Sequence, residues 1–179
     1  FFFKKLHFDQ NEIEAITPSD FLDSGRSIQI QRPSASSWGE AGYYKVWINE
    51  QNSWMYPYQH DAERRMTAYV NRFADQSLNS NVQGRTESAW TLDLGLSTRV
   101  LNQMARELML AQSSDWAFQI YQGTTVQYST RRFQSHIHRF DLLAKMIDSG
   151  HIDHEVLAEI ERRDNIFLEI DHAIYRSWA

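Results

Sequence analysis

From Trp54 onward, apolar residues recur every three or four positions over long stretches, a spacing that places them on one face of a helix and scatters them across a strand. Trp54, Tyr58, Ala62, Met66, Tyr69, Val70 and Phe73 form one such stripe, with Asp61, Glu63, Arg64 and Arg65 largely off it. This predicts a long amphipathic helix that begins at Pro57 or is kinked there. Val100, Leu101, Met104, Ala105, Leu108 and Ala111 predict a second helix from Thr98 to Gln112. Val126, Phe133, Ile137, Phe140, Ala144 and Ile147 predict a third from Thr125 to Asp148, which Gly150 can stop. Asp153 is placed to cap a shorter helix carrying Val156, Leu157 and Ile160, and Ile166, Ile170, Ile174 and Trp178 suggest a last short one. Such stripes must be buried against one another, so the fold class is mainly α, a helical bundle domain.

The chain before residue 34 reads differently. It has an apolar start, a short β-branched run from Ile13 to Ile16, and then TPSDFL, where Thr17 can cap, Pro18 suits the first helical position and Asp20 the third. Gly25 can end that helix, and Gln29 to Ser37, with Pro33, reads as a connector. The expected organisation is a short α/β segment over 1–33 followed by a helical domain over 34–179. The polar stretch Asp75 to Ser97, with Gly84 and Gly95, reads as a long surface connection anchored by Trp90. The chain opens on Phe1 within an apolar run, as a piece of something larger would.

Composition removes several functions. Lys and Arg number 18 against 23 Asp and Glu, a net charge of −5 with no basic stretch, which argues against nucleic acid as a partner. The absence of cysteine excludes disulfides, thiolate metal sites and a cysteine nucleophile, and fits a cytoplasmic location. No apolar run approaches the roughly 20 residues that cross a bilayer, so no membrane role is expected. His136 and His138 are two apart on a predicted helix, which sends them to nearly opposite faces, so no metal site is expected. No cofactor motif is present: the sequence has no G-x-S-x-G, no Gly-rich phosphate loop and no H-E-x-x-H.

What remains is an excess of rings. The chain holds six Trp, eight Tyr and ten Phe, more than a helical core needs when Leu, Ile and Met can fill it. Taken singly, each tryptophan reads as core. The stretch SASSWGEAGYYKVWINEQNSWMY, residues 34–56, sets Trp38, Trp47 and Trp54 beside Gly39 and Gly42 without helical periodicity, so it reads as shaped for a ligand. A flat ring whose edge donates a hydrogen bond suits a ligand with apolar faces and polar rims, and a sugar has that form. A second stretch, LAQSSDWAF over 110–118, ends an apolar helix in Gln112, Ser113, Ser114 and Asp115 before Trp116. It reads either as a helix end satisfied locally or as a polar contact, Asp115, beside a ring.

Three stretches, SSWGEAGYYKVWIN (36–49), NSWMY (52–56) and ARELMLAQSSDWAF (105–118), resemble the C-terminal part of α-glucan branching enzymes of glycoside hydrolase family 57. TPSDFL (17–22), RRFQSHIHRF (131–140) and RRDNIF (162–167) fit the same family, so the resemblance spans nearly the whole chain. It implies an incomplete (β/α) barrel as catalytic domain, with a helical C-terminal domain against its mouth. The implied reaction cuts an α-1,4-glucan and transfers the chain to a 6-hydroxyl, making an α-1,6 branch with retention. Retention needs two carboxyl groups about 5 to 5.5 Å apart. The family's Glu nucleophile and Asp acid/base lie in the barrel, ahead of S-S-W-G, and have no matching position here.

The resemblance therefore implies that residues 1–33 end the barrel, that the chain alone is inactive, and that its partners are α-glucan and its own barrel domain. By motif, Trp38 and Trp47 match tryptophans at the family's glucan groove. Glu40, Trp54, Ser114, Asp115 and Trp116 are further substrate-binding candidates by the same match. Three alternatives stand beside this: another family 57 activity, amylase or 4-α-glucanotransferase; a non-catalytic glucan-binding or assembly module; and a structural domain whose tryptophans are all buried.

Overall fold

The computed structural model describes residues 1–79 and 94–177, and among these there is no β-strand. The chain divides into two compact units, Phe1–Ala35 and Ser36–Ala179. The first holds α1 (Phe2–Phe8) and α2 (Pro18–Asp23). At α2 the capping box is complete: the Thr17 hydroxyl accepts from the Asp20 backbone N–H at 3.1 Å, and the Asp20 carboxylate accepts from the Thr17 backbone N–H at 3.3 Å. Gly25 follows at φ +67, a backbone that glycine enters without strain. The expected α/β character is met on the helical side alone. Ile13 to Ile16 forms no strand, and no strand is present among the described residues to supply a ladder.

The second unit contains two 3-10 turns, Glu40–Gly42 and Tyr44–Val46, and then α3 (Met55–Asn79), α4 (Leu94–Ala111), α5 (Ser114–Gln122), α6 (Val126–Ser149) and α7 (His154–Arg163). Pro57 falls in the first turn of α3, where its missing N–H has no partner to lose. The expected connection from Asp75 to Ser97 is shorter at both ends: α3 continues through Asn79, α4 begins at Leu94, and Ser97 is buried. Trp90 and Trp178 lie outside the described residues.

The core is the joint burial of the predicted stripes. Ala62, Met66, Tyr69 and Val70 of α3 meet Val100, Leu101, Met104, Ala105 and Leu108 of α4, Phe140, Leu143, Ala144 and Ile147 of α6, and Leu157 and Ile160 of α7. A smaller cluster joins Met55, Ala111, Ala117, Ile120 and Phe133, with Trp47, Trp54 and Trp116 packed against it. Tyr58 and Val126, the early members of their stripes, are exposed. Gly150, at φ +68, and Asp153, accepting from the Glu155 and Val156 N–H groups, close α6 and open α7 as expected. After α7 the isoleucine spacing does not produce a regular helix. Phe167 sits at φ +52, which a right-handed helix cannot pass through, so the segment instead forms a 3-10 turn, His172–Tyr175. Ile166 and Ile174 are left exposed.

Candidate functional site

The Ser36–Tyr56 stretch is held by short-range polar contacts. Ser37 Oγ donates to the Tyr43 carbonyl at 2.5 Å and accepts from the Gly39 N–H at 3.1 Å. Gly39 is required by space: a Cβ there would lie 2.4 Å from the Tyr43 carbonyl oxygen and 2.8 Å from the Trp47 ring. Gly42 is required by conformation, at φ +76. Asn52, wholly buried, donates to the carbonyls of Val46 (3.0 Å) and Ala117 (3.2 Å) and accepts from the Asn49 N–H (2.9 Å), tying the stretch to α5. Tyr56 donates to the Trp47 carbonyl at 2.5 Å.

This scaffold presents rings outward. Trp38 is 79% exposed, its ring centroid 5.8 Å from that of Phe118 and 6.2 Å from that of Trp47, and Trp47 is half-buried on the smaller core cluster. Beside them the Glu40 carboxylate accepts from the Tyr121 hydroxyl and from Lys45 at 3.2 Å. These two bonds hold the Glu40 carboxyl below the ordinary carboxylate range, and the bond to Glu40 raises the Tyr121 phenol. A carboxylate offers about four lone-pair positions, so room remains on Glu40 for a sugar hydroxyl.

The other candidates lie elsewhere. Trp54 turns inward, edge-on to Phe133 at 5.5 Å, with its N–H donating to the Gln51 carbonyl at 3.0 Å. Trp116 donates its N–H to the Leu110 carbonyl at 2.7 Å and lays its ring along His136 at 6.5 Å, with the Arg132 guanidinium 6.0 Å from the ring centre. Ser114 and Asp115 are exposed in the first turn of α5, which is a separate helix and not the tail of α4. An acidic side chain there complements the helix dipole. Ser114 shares one face of α5 with Phe118 and Tyr121, the residues that touch Trp38 and Glu40.

A buried polar cluster between α4 and α6 was not anticipated from the sequence. Glu107, His136 and Asp164 bring ligand atoms within 4.8 Å of one another, all in the interior. The donor types would suit a metal ion, but Arg139 donates into the cluster, 2.6 Å from Asp164 and 3.8 Å from Glu107, and supplies the countercharge. His136 Nδ1 lies 2.7 Å from Glu107, and its Nε2 lies 3.1 Å from an Arg132 Nη. An arginine can only donate, so Nε2 accepts and Nδ1 carries the proton given to Glu107. Burial pushes the Glu107 carboxyl above its ordinary range, against the pull of the His136 bond. His138 is exposed on another side of α6. The available signal was Gln103 and Glu107 interrupting the apolar stripe of α4 four residues apart, where they bond at 3.0 Å.

The helical domain has matches among known proteins. The family described as 1,4-alpha-glucan branching enzyme, C-terminal, matches residues 58–175, and the chain belongs to it. The chain is 36% identical over 164 residues to the 1,4-alpha-glucan branching enzyme TK1436 of Thermococcus kodakarensis, which covers 88% of this chain and 22% of that protein. Among solved structures, the GH57 branching enzyme TK1436, in complex with glucose and additives, aligns at a TM-score of 0.70 and 33% identity, over 94% of this chain and 28% of that one. The GH57-type branching enzyme of Pyrococcus horikoshii aligns at 0.68 and 32%, over 93% and 29%. The α-amylase AmyC of Thermotoga maritima aligns at 0.65 and 33%, over 99% and 29%. The chain thus spans between a fifth and a third of the length of these relatives. Among the described residues, no helix is long and apolar enough to cross a membrane.

Proposed function

We propose that this chain is the C-terminal part of a retaining α-glucan branching enzyme of the cytoplasm, and that it supplies aromatic binding residues to a groove whose catalytic carboxyls stand in a preceding barrel. The observation that carries the proposal is Trp38: a ring 79% exposed, backed by Trp47 and Phe118, on a stretch that a Cβ at Gly39 would break. Residues 1–33 are read as the last piece of the barrel, which is this chain's protein partner. Their exposed Phe1, Phe2, Phe3 and Phe8 support that reading.

The contribution of this chain to the reaction is positioning. A glucan ring laid on Trp38 and Trp47 loses water from one face, and a chain held in place reaches the glycosyl intermediate before solvent does. That favours transfer to a 6-hydroxyl over hydrolysis. Glu40 is read as a further contact beside these rings, Ser114 and Asp115 as candidates at the start of α5, and Trp54 and Trp116 as backing, since they pack with Trp47 on the smaller core cluster.

A second reading, hydrolysis by an amylase, is favoured by the match to AmyC, which covers 99% of this chain. The test joins this chain to the coding sequence that precedes it and incubates the product with amylose. New α-1,6 linkages, counted by NMR and removed by a debranching enzyme, are expected. Shortened chains without new branches would support the amylase, and chains redistributed in length would support a 4-α-glucanotransferase. Binding with no bond made or broken would leave a glucan-binding or assembly module.

A further inference from the structure

From the placement of its hydroxyl, we propose that Tyr121 is a positioning residue: by donating to Glu40 it clamps the Ser36–Val46 turns to α5 and so fixes the Trp38 ring over Phe118. The inference rests on the reading of Trp38 as the glucan platform. Three observations carry it. Trp38 has little to hold it, since it is 79% exposed and, among the described residues, its ring meets those of Trp47 and Phe118 at tilted angles of 57° and 48°. Its neighbour two residues on, Glu40, opens the first 3-10 turn and reaches across to α5, on the same helix face as Phe118. The other ties between this stretch and α5, Trp47 packed on the cluster of Ala117 and Ile120 and Asn52 bonded to the Ala117 carbonyl, act 9 and 14 residues beyond Trp38, so the Glu40–Tyr121 bond is the polar tie nearest to that ring.

The groups that face Glu40 are Tyr121 from α5 and Lys45 from the second 3-10 turn, and they differ in what they can do. Lys45 belongs to the same stretch as Glu40, so its ion pair stiffens the turns without anchoring them to a helix. Tyr121 is the anchor. A phenol donating to a carboxylate forms a charge-assisted bond, stronger than a neutral one and directional.

The test replaces tryptophan with 5-fluorotryptophan throughout this chain and follows the Trp38 fluorine resonance, assigned by its loss in Trp38→Phe. Tyr121→Phe keeps the ring and removes the hydroxyl. It is expected to move the Trp38 resonance toward that of free fluorotryptophan while leaving the Trp116 resonance in place. The acid step in the Trp38 signal, which reports Glu40, should rise toward the ordinary carboxylate range, because the Tyr121 bond is the largest cause of its lowering. The maltoheptaose concentration at half-saturation should rise about tenfold. Glu40→Gln, whose amide oxygen still accepts from Tyr121, should keep the wild-type resonance, and Glu40→Ala should reproduce the loss. Should Tyr121→Phe fail to fold, Glu40→Ala against Glu40→Gln decides. An unchanged Trp38 resonance and acid step in both Tyr121→Phe and Glu40→Ala overturns the proposal. A displaced resonance in a chain whose wild type ignores maltoheptaose keeps the clamp and removes the glucan reading.

Discussion

Around α4 and α6, Gln103, Glu107, Arg132, His136, Arg139 and Asp164 bond largely to one another, with the Arg132 Nε left buried and unpartnered among the described residues, whereas in the Ser36–Tyr56 stretch Ser37, Asn52 and Tyr56 bond to the backbone. The first arrangement has its carboxylates and imidazole in the interior. Its value is to the fold, because charges taken from water are tolerated only where partners are fixed, and fixing them sets how the two helices meet. The second holds a loop still and leaves a large ring in solvent. Exposed Trp38 gains little from burial, so stability does not account for a scaffold that includes an obligatory glycine at 39. The contrast supports the proposal that the surface stretch carries the glucan contacts, although the interior cluster has the more chemically suggestive residues.

Four outcomes sharpen or break that contrast. The largest is expected inside: Glu107→Ala strips His136 and Arg139 of a buried partner and should cost about 3 to 5 kcal/mol in urea unfolding. A cost under about 1 kcal/mol would mean that the cluster is hydrated and not interior. Gly39→Ala should come next, at about 2 kcal/mol by thermal unfolding, because the new Cβ meets backbone that cannot step aside; the maltoheptaose response should vanish with it. If stability falls but binding stays, the stretch is structural. Trp38→Ala should change stability by no more than about 0.5 kcal/mol while abolishing the glucan response.

The smallest effect is a pH slope in the tail. Burial lowers the His172 pKa from its ordinary 6.5, with Asp171 pulling weakly the other way. The unfolded chain then binds more protons than the folded one below that value, so stability falls as pH drops from 7 through the lowered pKa. His172→Gln should flatten the slope measured by thermal unfolding between pH 7 and 5. An unchanged slope would place the sensitive group elsewhere.

What the sequence made legible follows from period. The stripes of α3, α4 and α6 were readable because each is long enough to repeat, and the caps Thr17, Asp153 and Gly150 because each has a local geometric role. Helix α5 was missed because only nine residues separate Ser113 from Gly123, and its polar first turn reads equally as the end of α4. The buried cluster was illegible because Glu107, His136 and Asp164 stand 29 and 28 positions apart, and only tertiary packing brings them together. On the candidate site, the aromatic-glycine stretch located Trp38 and Trp47, but nothing local separates an exposed ring from an inward one. Trp54 stands just before Met55, where α3 begins, and turns to Phe133. Tyr121, 81 residues from the Glu40 it binds, carried no sequence signal.

The most direct measurement is titration of this chain's tryptophan fluorescence with maltoheptaose, in wild type, Trp38→Ala and Trp116→Phe. A saturable change that disappears in Trp38→Ala and survives in Trp116→Phe is the result predicted, since the first ring faces solvent and the second lies along His136. A change that survives in Trp38→Ala would contradict the account, and so would one lost only in Trp116→Phe.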